Sequence, residues 1–340
     1  MTNKKLVSPI NKEMADVYRS SIEKIRGNAK RYSLVDYPAH NNIGDSAIWV
    51  GEKEALTEIF GKGPDYVASH QDYRDDIEKF CKDGVVFIHG GGNFGDLWLN
   101  HHEFRLRIIK NYPHRRIVQL PQSIHFSGPE HIEKTKSVIG EHKDFHLYVR
   151  DQASFDFATK ELDCPVYLAP DAAHCIRTYI SETSKHKIFS LVRTDKESLI
   201  PDLYDLLSSY GPISDWKNID EYFYKNENML DGFFRRRIQY KFSSSKLMMR
   251  YRSRIYNRKA EEAVANGTRL LSQGKLVISD RLHAHIICCL MGKRHISIDN
   301  ANGKVREYIR KWGNFGITEL VDSKASLLAK IEEIQKASPQ

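Results

Sequence analysis

The chain has 340 residues, 41% of them apolar, 28% charged and 11% aromatic, with 52 Lys and Arg against 44 Asp and Glu for a net charge of +8. That length predicts about two domains, each able to bury its own core, and the composition excludes a disordered or fibrous protein. No apolar run reaches the roughly 20 residues a membrane-spanning helix needs; the five cysteines, odd in number and without a CxxC pair, argue against a disulfide framework or zinc knuckle and for a reducing cytosol.

The opening MTNKKLVSPINK is basic but lacks the apolar stretch of a secretory signal. Short β-rich apolar runs then alternate with segments of helical period, the pattern of parallel α/β units. In the first half, strands are predicted at 33–35, 85–89, 117–120, 147–149 and 166–168, with helices at 45–60, 97–110, 130–139 and 152–161. The polar stretch 181–187 reads as an interdomain linker. Beyond it come strands at 187–192, 276–279 and 295–298 and helices at 196–210, 261–273, 282–291, 305–311 and 323–336; between 210 and 261 no period is clear. The expectation is an α/β chain of two Rossmann-like domains, 1–180 and 181–340, facing across a cleft with ligands at the carboxyl ends of the strands.

The positive charge is local. Residues 233–260 hold ten Lys and Arg and no acid, so the rest of the chain is nearly balanced. Tyr240, Phe242, Leu247, Met248, Met249, Tyr251, Ile255 and Tyr256 are interleaved with the cations. Such a segment suits an anionic membrane surface, a polyphosphate or a nucleic acid, or is simply a solvated basic helix.

Four motifs sit at predicted strand ends. NNIGD (41–45) opens the first helix, where Asp45 serves either as a cap or as a site residue. HGGGNFGD (89–96) follows an apolar strand; Gly90, Gly91 and Gly92, with Asn93, let backbone approach a ligand and aim N–H groups at an anion, or form a tight turn. It is not a GxGxxG with a downstream ribose-binding acid, nor a GxxxxGK[ST] P-loop, so the dinucleotide and P-loop readings lack their key residues. YVRDQAS (148–154) places Arg150 where a bidentate contact to carboxylate or phosphate is natural, the plain alternative being a surface arrangement with Asp151. SDRLHAH (279–285) crowds ionisable groups at the mouth of an apolar helix: Arg281 offers a cationic fork and His283 a group titrating near neutrality, whereas His285 reads as structural. His283 and His285 do not share a helix face and no HExxH occurs, so no metal site is expected. Lys304 lies in a loop after the strand at 295–298.

In this order the motifs resemble the polysaccharide pyruvyl transferase family, through NIGDSAI (42–48), VVFIHGGGNFGD (85–96), LPQSIHF (120–126), YVRDQAS (148–154), PDAAH (170–174) and SDRLHAHI (279–286). The resemblance implies a glycosyltransferase-B-like fold and transfer of the enolpyruvyl carbons of phosphoenolpyruvate onto a sugar diol, giving a pyruvate ketal and phosphate. On the motif positions it implies a donor site of Arg150, Arg281, Leu282, His283 and Lys304, with Arg281 and His283 catalytic. Asp45, Gly90, Gly91, Gly92 and Asn93 become acceptor-side elements. It further implies no cofactor beyond phosphoenolpyruvate as donor substrate, a glycan or lipid-linked oligosaccharide acceptor, and a cytoplasmic enzyme that the 233–260 segment would bring to the inner membrane face. Two other functional classes lack their marks. A sugar-nucleotide glycosyltransferase of the same fold would show a Glu-x7-Glu mark, not evident in 279–307; a nucleic-acid-binding protein would carry an RRM, KH, HTH or zinc-finger signature, and none is present.

Overall fold

A computed structural model of the chain describes residues 4–40, 42–193, 199, 200, 202–216, 245–300, 303–313 and 315–337. They form two compact units: one of residues 13–175 with the described part of 221–263, the other of the described parts of 1–12, 176–220 and 264–340. Both are α/β with parallel main sheets, as the alternating runs predict.

After a short strand β1 (Lys4–Leu6), which belongs to the second unit, the chain builds a seven-stranded sheet in the first. Its strands are β2 (Tyr32–Val35), β3 (Tyr66–Ala68), β4 (Val85–Ile88), β5 (Gly91–Gly95), β6 (Ile117–His125), β7 (Phe145–Val149) and β8 (Val166–Leu168), in the order β3-β2-β4-β6-β7-β8, with β5 also paired to β6. All these pairings are parallel. Every residue of β2 and β4 is buried, which is why β4 (Val-Val-Phe-Ile) reads as a continuous apolar run rather than an alternating one. Register decides which groups emerge together. Val35 lies opposite Ile88, Ile88 opposite Gln119, and Gln122 opposite Val149, so Asp36, His89, Gln122 and Arg150 leave the sheet at one edge. The helix Ile43–Phe60 presses so closely on the turn after β8 that a Cβ at Gly51 would stand 1.9 Å from the Ala172 carbonyl oxygen.

In the second unit, β9 (Thr178–Ile180) pairs antiparallel with β1. A five-stranded parallel sheet follows in the order β11-β10-β12-β13-β14, from β10 (His186–Leu191), β11 (Ile213–Ser214), β12 (Gly274–Ser279), β13 (His295–Ile298) and β14 (Thr318–Val321). Ile188, Leu207, Ile278, Ile296, Leu327 and Ile331 form its core with the helices Leu203–Ser208 and Lys324–Ala337.

Three expectations change. The glycine run 90–93, expected as an open loop, largely becomes strand β5. The helix expected from 261 begins fifteen residues earlier and spans Lys246–Ser272. Met249, Arg252, Tyr256 and Ala260 bury one stripe at helical spacing, and an arginine in that stripe hides the period from a hydropathy reading. Third, the basic segment, assigned to the C-terminal domain by sequence, lies with the first unit wherever it is described. Tyr256 stacks on Tyr37 with ring centroids 3.7 Å apart, Trp49 Nε1 donates to Asn257 Oδ1 at 3.2 Å, and Arg252 Nη1 donates to the Val67 carbonyl at 3.2 Å. Arg235, Arg236, Arg237 and Lys241 lie outside the described residues.

Candidate active site

In the first unit, Arg150 follows β7 and is buried. Its Nη1 donates to Asp171 Oδ2 at 2.5 Å and its Nε to Ser123 Oγ at 3.0 Å. Asp151 does not pair with it. Asp151 Oδ1 instead accepts from the Ser154 amide (2.8 Å), capping the helix Gln152–Glu161, and Oδ2 accepts from the Ser123 hydroxyl (2.6 Å). The Arg150 guanidinium is therefore fixed from two sides. Its Nη2 faces the glycine run closely enough that a Cβ on Gly92 would lie 3.3 Å away.

The amides of the glycine run are largely used within the protein. The Gly90 amide donates to Glu52 Oε1 (2.7 Å), that of Asn93 to Gln122 Oε1 (3.2 Å) and that of Gly95 to His102 Nδ1 (3.2 Å). Gly90 approaches backbone rather than leaving room for a ligand: a Cβ there would meet the Pro121 carbonyl oxygen at 2.6 Å. The sequence reading of these N–H groups as an anion cradle is corrected for residues 90 and 93. What the run does supply is Asn93, whose side-chain oxygen accepts from Arg105 Nη2 (2.7 Å) and Gln122 Nε2 (2.9 Å). Asp45 is in the first helical turn, but the cap is Asn42, whose Oδ1 accepts from the Gly44 amide at 2.9 Å. Asp45 instead lies 3.5 Å from His40 Nε2, and its Oδ1 would be 3.5 Å from a Cβ on Gly91.

Two buried acid–histidine pairs stand at the same sheet edge. His89 Nδ1 donates to Glu52 Oε2 at 2.7 Å. Burial opposes the imidazolium, but the Glu52 charge and hydrogen bond outweigh it and raise the His89 pKa. His101 Nδ1 donates to Asp36 Oδ1, also at 2.7 Å. Burial pushes the Asp36 carboxyl up; the hydrogen bond and charge of His101, with Arg105 and His89, pull it below its ordinary value.

In the second unit, Leu191, Ser279 and Ser297 are in register, so the segments after β12 and β13 leave adjacent strand ends. Arg281 occupies the position just before the helix Leu282–Met291 and its Nη2 donates to the buried Asp215 Oδ1, while its amide donates to Ser279 Oγ (3.2 Å). Arg281, Leu282 and His283 are all half-buried at this edge. Lys304 begins the helix Lys304–Trp312, its amide held by Asn300 Oδ1 at 2.9 Å. The topology thus brings Arg281, Leu282, His283 and Lys304 to one sheet edge, while Arg150 belongs to the other unit beside Asp45 and the glycine run. His285 points into the core, with His285 Nδ1 2.8 Å from His295 Nε2.

Sequence reasoning missed four supporting acids and hydroxyls. Ser123 and Asp171 lie inside quoted motifs, yet no spacing rule ties them to Arg150. Asp215 follows a two-residue strand and carries no signal. Asp280 stands in the SDRLHAH motif with no signal of its own; burial pushes its carboxyl up to about 6, against the Arg193 amide bond at 2.9 Å and the Arg281 and Arg193 charges.

A family model described as polysaccharide pyruvyl transferase matches residues 42–302 of this chain. Pyruvyl transferase 1 of Schizosaccharomyces pombe (strain 972 / ATCC 24843) is 28% identical over 335 residues, covering 91% of this chain and 77% of that protein. General stress protein 30 of Bacillus subtilis (strain 168) is 24% identical over 301 residues, covering 85% and 80% respectively. Among solved structures, that of a functionally uncharacterised protein from Klebsiella pneumoniae subsp. pneumoniae NTUH-K2044 shares the fold, with a TM-score of 0.58 at 16% identity over 91% of this chain and 99% of that one.

Proposed function

The chain belongs to the polysaccharide pyruvyl transferase family and is thus a transferase, and we propose that its donor is phosphoenolpyruvate and its product a cyclic pyruvate ketal on a sugar diol. The observation that carries this reading is the placement of Arg281, Leu282, His283 and Lys304 at the carboxyl edge of one parallel sheet, with Arg281 locked by the buried Asp215. That edge is where α/β sheets take ligands. A donor bearing a carboxylate and a phosphate is matched by a guanidinium fork and a lysine.

In the proposed reaction, a proton adds to the enol methylene carbon and a sugar hydroxyl oxygen adds to the neighbouring carbon, losing its proton. A second hydroxyl of the same sugar then displaces phosphate, which leaves with its C–O bonding pair and takes up that hydroxyl's proton, and the ketal ring closes. His283 donates the first proton or accepts one from a hydroxyl. Arg281 and Lys304 balance the charge on the departing phosphate. Arg150, with Asp45 and Asn93, stands in the other α/β unit, and we read the chain as glycosyltransferase-B-like. The reaction needs no redox cofactor.

No helix among the described residues is long and apolar enough to cross a membrane. We read the exposed face of Lys246, Arg250, Arg254 and Arg258, four residues apart on one helix beside the exposed Leu247, as the contact with an anionic leaflet or a lipid-linked acceptor. Arg252, Met249 and Tyr256 are withdrawn from that role because they are buried. The function is tested by incubating the protein with phosphoenolpyruvate and a panel of galactosides, glucosides and N-acetylhexosaminides, followed by mass spectrometry. Gain of the ketal mass with release of phosphate is expected. Transfer from a sugar nucleotide instead would overturn the reading.

A further inference from the structure

Three potential metal ligands meet at the carboxyl edge of the first unit's sheet, brought there by topology alone. Asp36 directly follows β2, His70 lies two residues past the neighbouring β3, and His101 sits in the first turn of the helix Leu99–Asn111. One ligand atom from each lies within 4.8 Å of the other two. The carboxylate of Asp36 is wholly buried, and its Oδ2 accepts no hydrogen bond among the described residues; Arg105 Nη2 stands 4.0 Å away, turned toward Asn93. His70 Nδ1 is likewise buried without a hydrogen-bond partner there, and the His70 and His101 rings lie 4.5 Å apart. Buried polar atoms are nearly always satisfied, so two orphans within one cluster ask for a missing partner.

The surroundings are built to hold these side chains. Asp36 adopts φ 68°, a left-handed conformation that is costly outside glycine and collects at functional sites. The turn carrying His70 is pinned from both ends: Asp72 Oδ1 accepts from the Ser69 amide at 2.8 Å, and Asp72 Oδ2 accepts from the Tyr256 hydroxyl. Support of this kind around first ligands is what tunes metal sites. The other histidine cluster, His285, Cys289 and His295, lacks this character, because His295 Nδ1 lies on the Lys293 carbonyl (2.8 Å) and Nε2 on His285 and Thr318 (2.8 and 3.0 Å).

We propose that Asp36, His70 and His101 bind one divalent transition-metal ion of the zinc class. Two imidazoles and one carboxylate suit such an ion and leave a coordination position open. At metal–ligand distances of about 2.1 Å the donor atoms would draw in from their present spacing, a movement the half-buried His70 can supply by side-chain rotation. The transfer reaction above is written without this ion, and the test below reads binding rather than turnover, so the two readings fail separately.

The test is titration of chelator-stripped full-length protein with Zn²⁺ by calorimetry and with Co²⁺ by visible absorption. One equivalent is expected to bind. His70→Ala and His101→Ala should each weaken it more than about tenfold, because even a lost outer partner costs that much, while the exposed His114→Ala should bind as the parent does. Absence of binding overturns the site. So does binding that survives either the His70 or the His101 change, since the ion would then lie elsewhere.

Discussion

Asp215 and Arg281, 66 residues apart, are joined by a hydrogen-bonded ion pair in which the carboxylate is almost wholly buried. The carboxylate aims the guanidinium while leaving part of its donor fork for another anion: Arg281 Nε has no partner among the described residues. Arginine at this position is thus a positioned fork and not merely a positive charge.

Arg281→Lys keeps the charge and removes the fork. It should lower kcat/KM for phosphoenolpyruvate by the equivalent of about 2–4 kcal/mol, measured by steady-state phosphate release. The lysine variant is cleaner than alanine, which would leave Asp215 without its guanidinium. An unchanged kcat/KM would remove Arg281 from the donor site.

His283→Asn tests proton transfer. Loss of general acid–base help should cut kcat by about 10²–10⁴-fold, with the donor KM moving far less. Equal losses in both parameters would make His283 a binding group.

Asp280 gives a pH-dependent prediction. Its folded pKa is raised from 3.8 to about 6, so the native state holds the proton more tightly than the unfolded chain. That contribution to stability is complete below the unfolded value and is lost as pH rises through about 6. At pH 8 the ionised, buried carboxylate costs up to about 3 kcal/mol. Asp280→Asn keeps an oxygen acceptor for the Arg193 amide and removes the charge. It should raise the urea midpoint at pH 8, with the gain fading by about pH 4; the same gain at both pH values would contradict the assignment.

Gly95→Ala separates backbone need from ligand approach. Gly95 has φ 115°, and a Cβ there would stand 1.8 Å from the His125 carbonyl oxygen. Strand β5 would have to leave β6, so destabilisation above about 4 kcal/mol, or failure to fold, is expected by chemical denaturation. Wild-type stability in the variant would show that β5 is dispensable.

Changing Lys246, Arg250, Arg254 and Arg258 to Glu should abolish co-sedimentation with anionic vesicles at low salt and spare activity on a soluble acceptor. At about 1 kcal/mol for each cation near the surface, four suffice for reversible docking. Wild-type protein that stays in the supernatant would leave this face as a solvated basic helix.

Much of the architecture was legible because its cause is local. A parallel strand buried on both faces writes itself as an apolar run, so β4 stands within a residue of where hydropathy puts it; β8 and β13 also fall where they are expected, and the helices Gln152–Glu161 and Leu282–Met291 begin and end as expected. The family motifs were equally visible, since residues at strand ends stay close together in sequence. What no periodicity could show is which distant groups complete each site. Arg150 needs Ser123 and Asp171, Arg281 needs Asp215, and the Asp36 carboxylate meets His70 and His101 only because β2 and β3 are neighbours in register. The same limit hid the start of the long helix, where Arg252 occupies a buried position that hydropathy assigns to solvent. Hydropathy is a property of one residue, whereas the satisfaction of a buried charge belongs to a pair, and pairing across a sheet edge is decided by strand order.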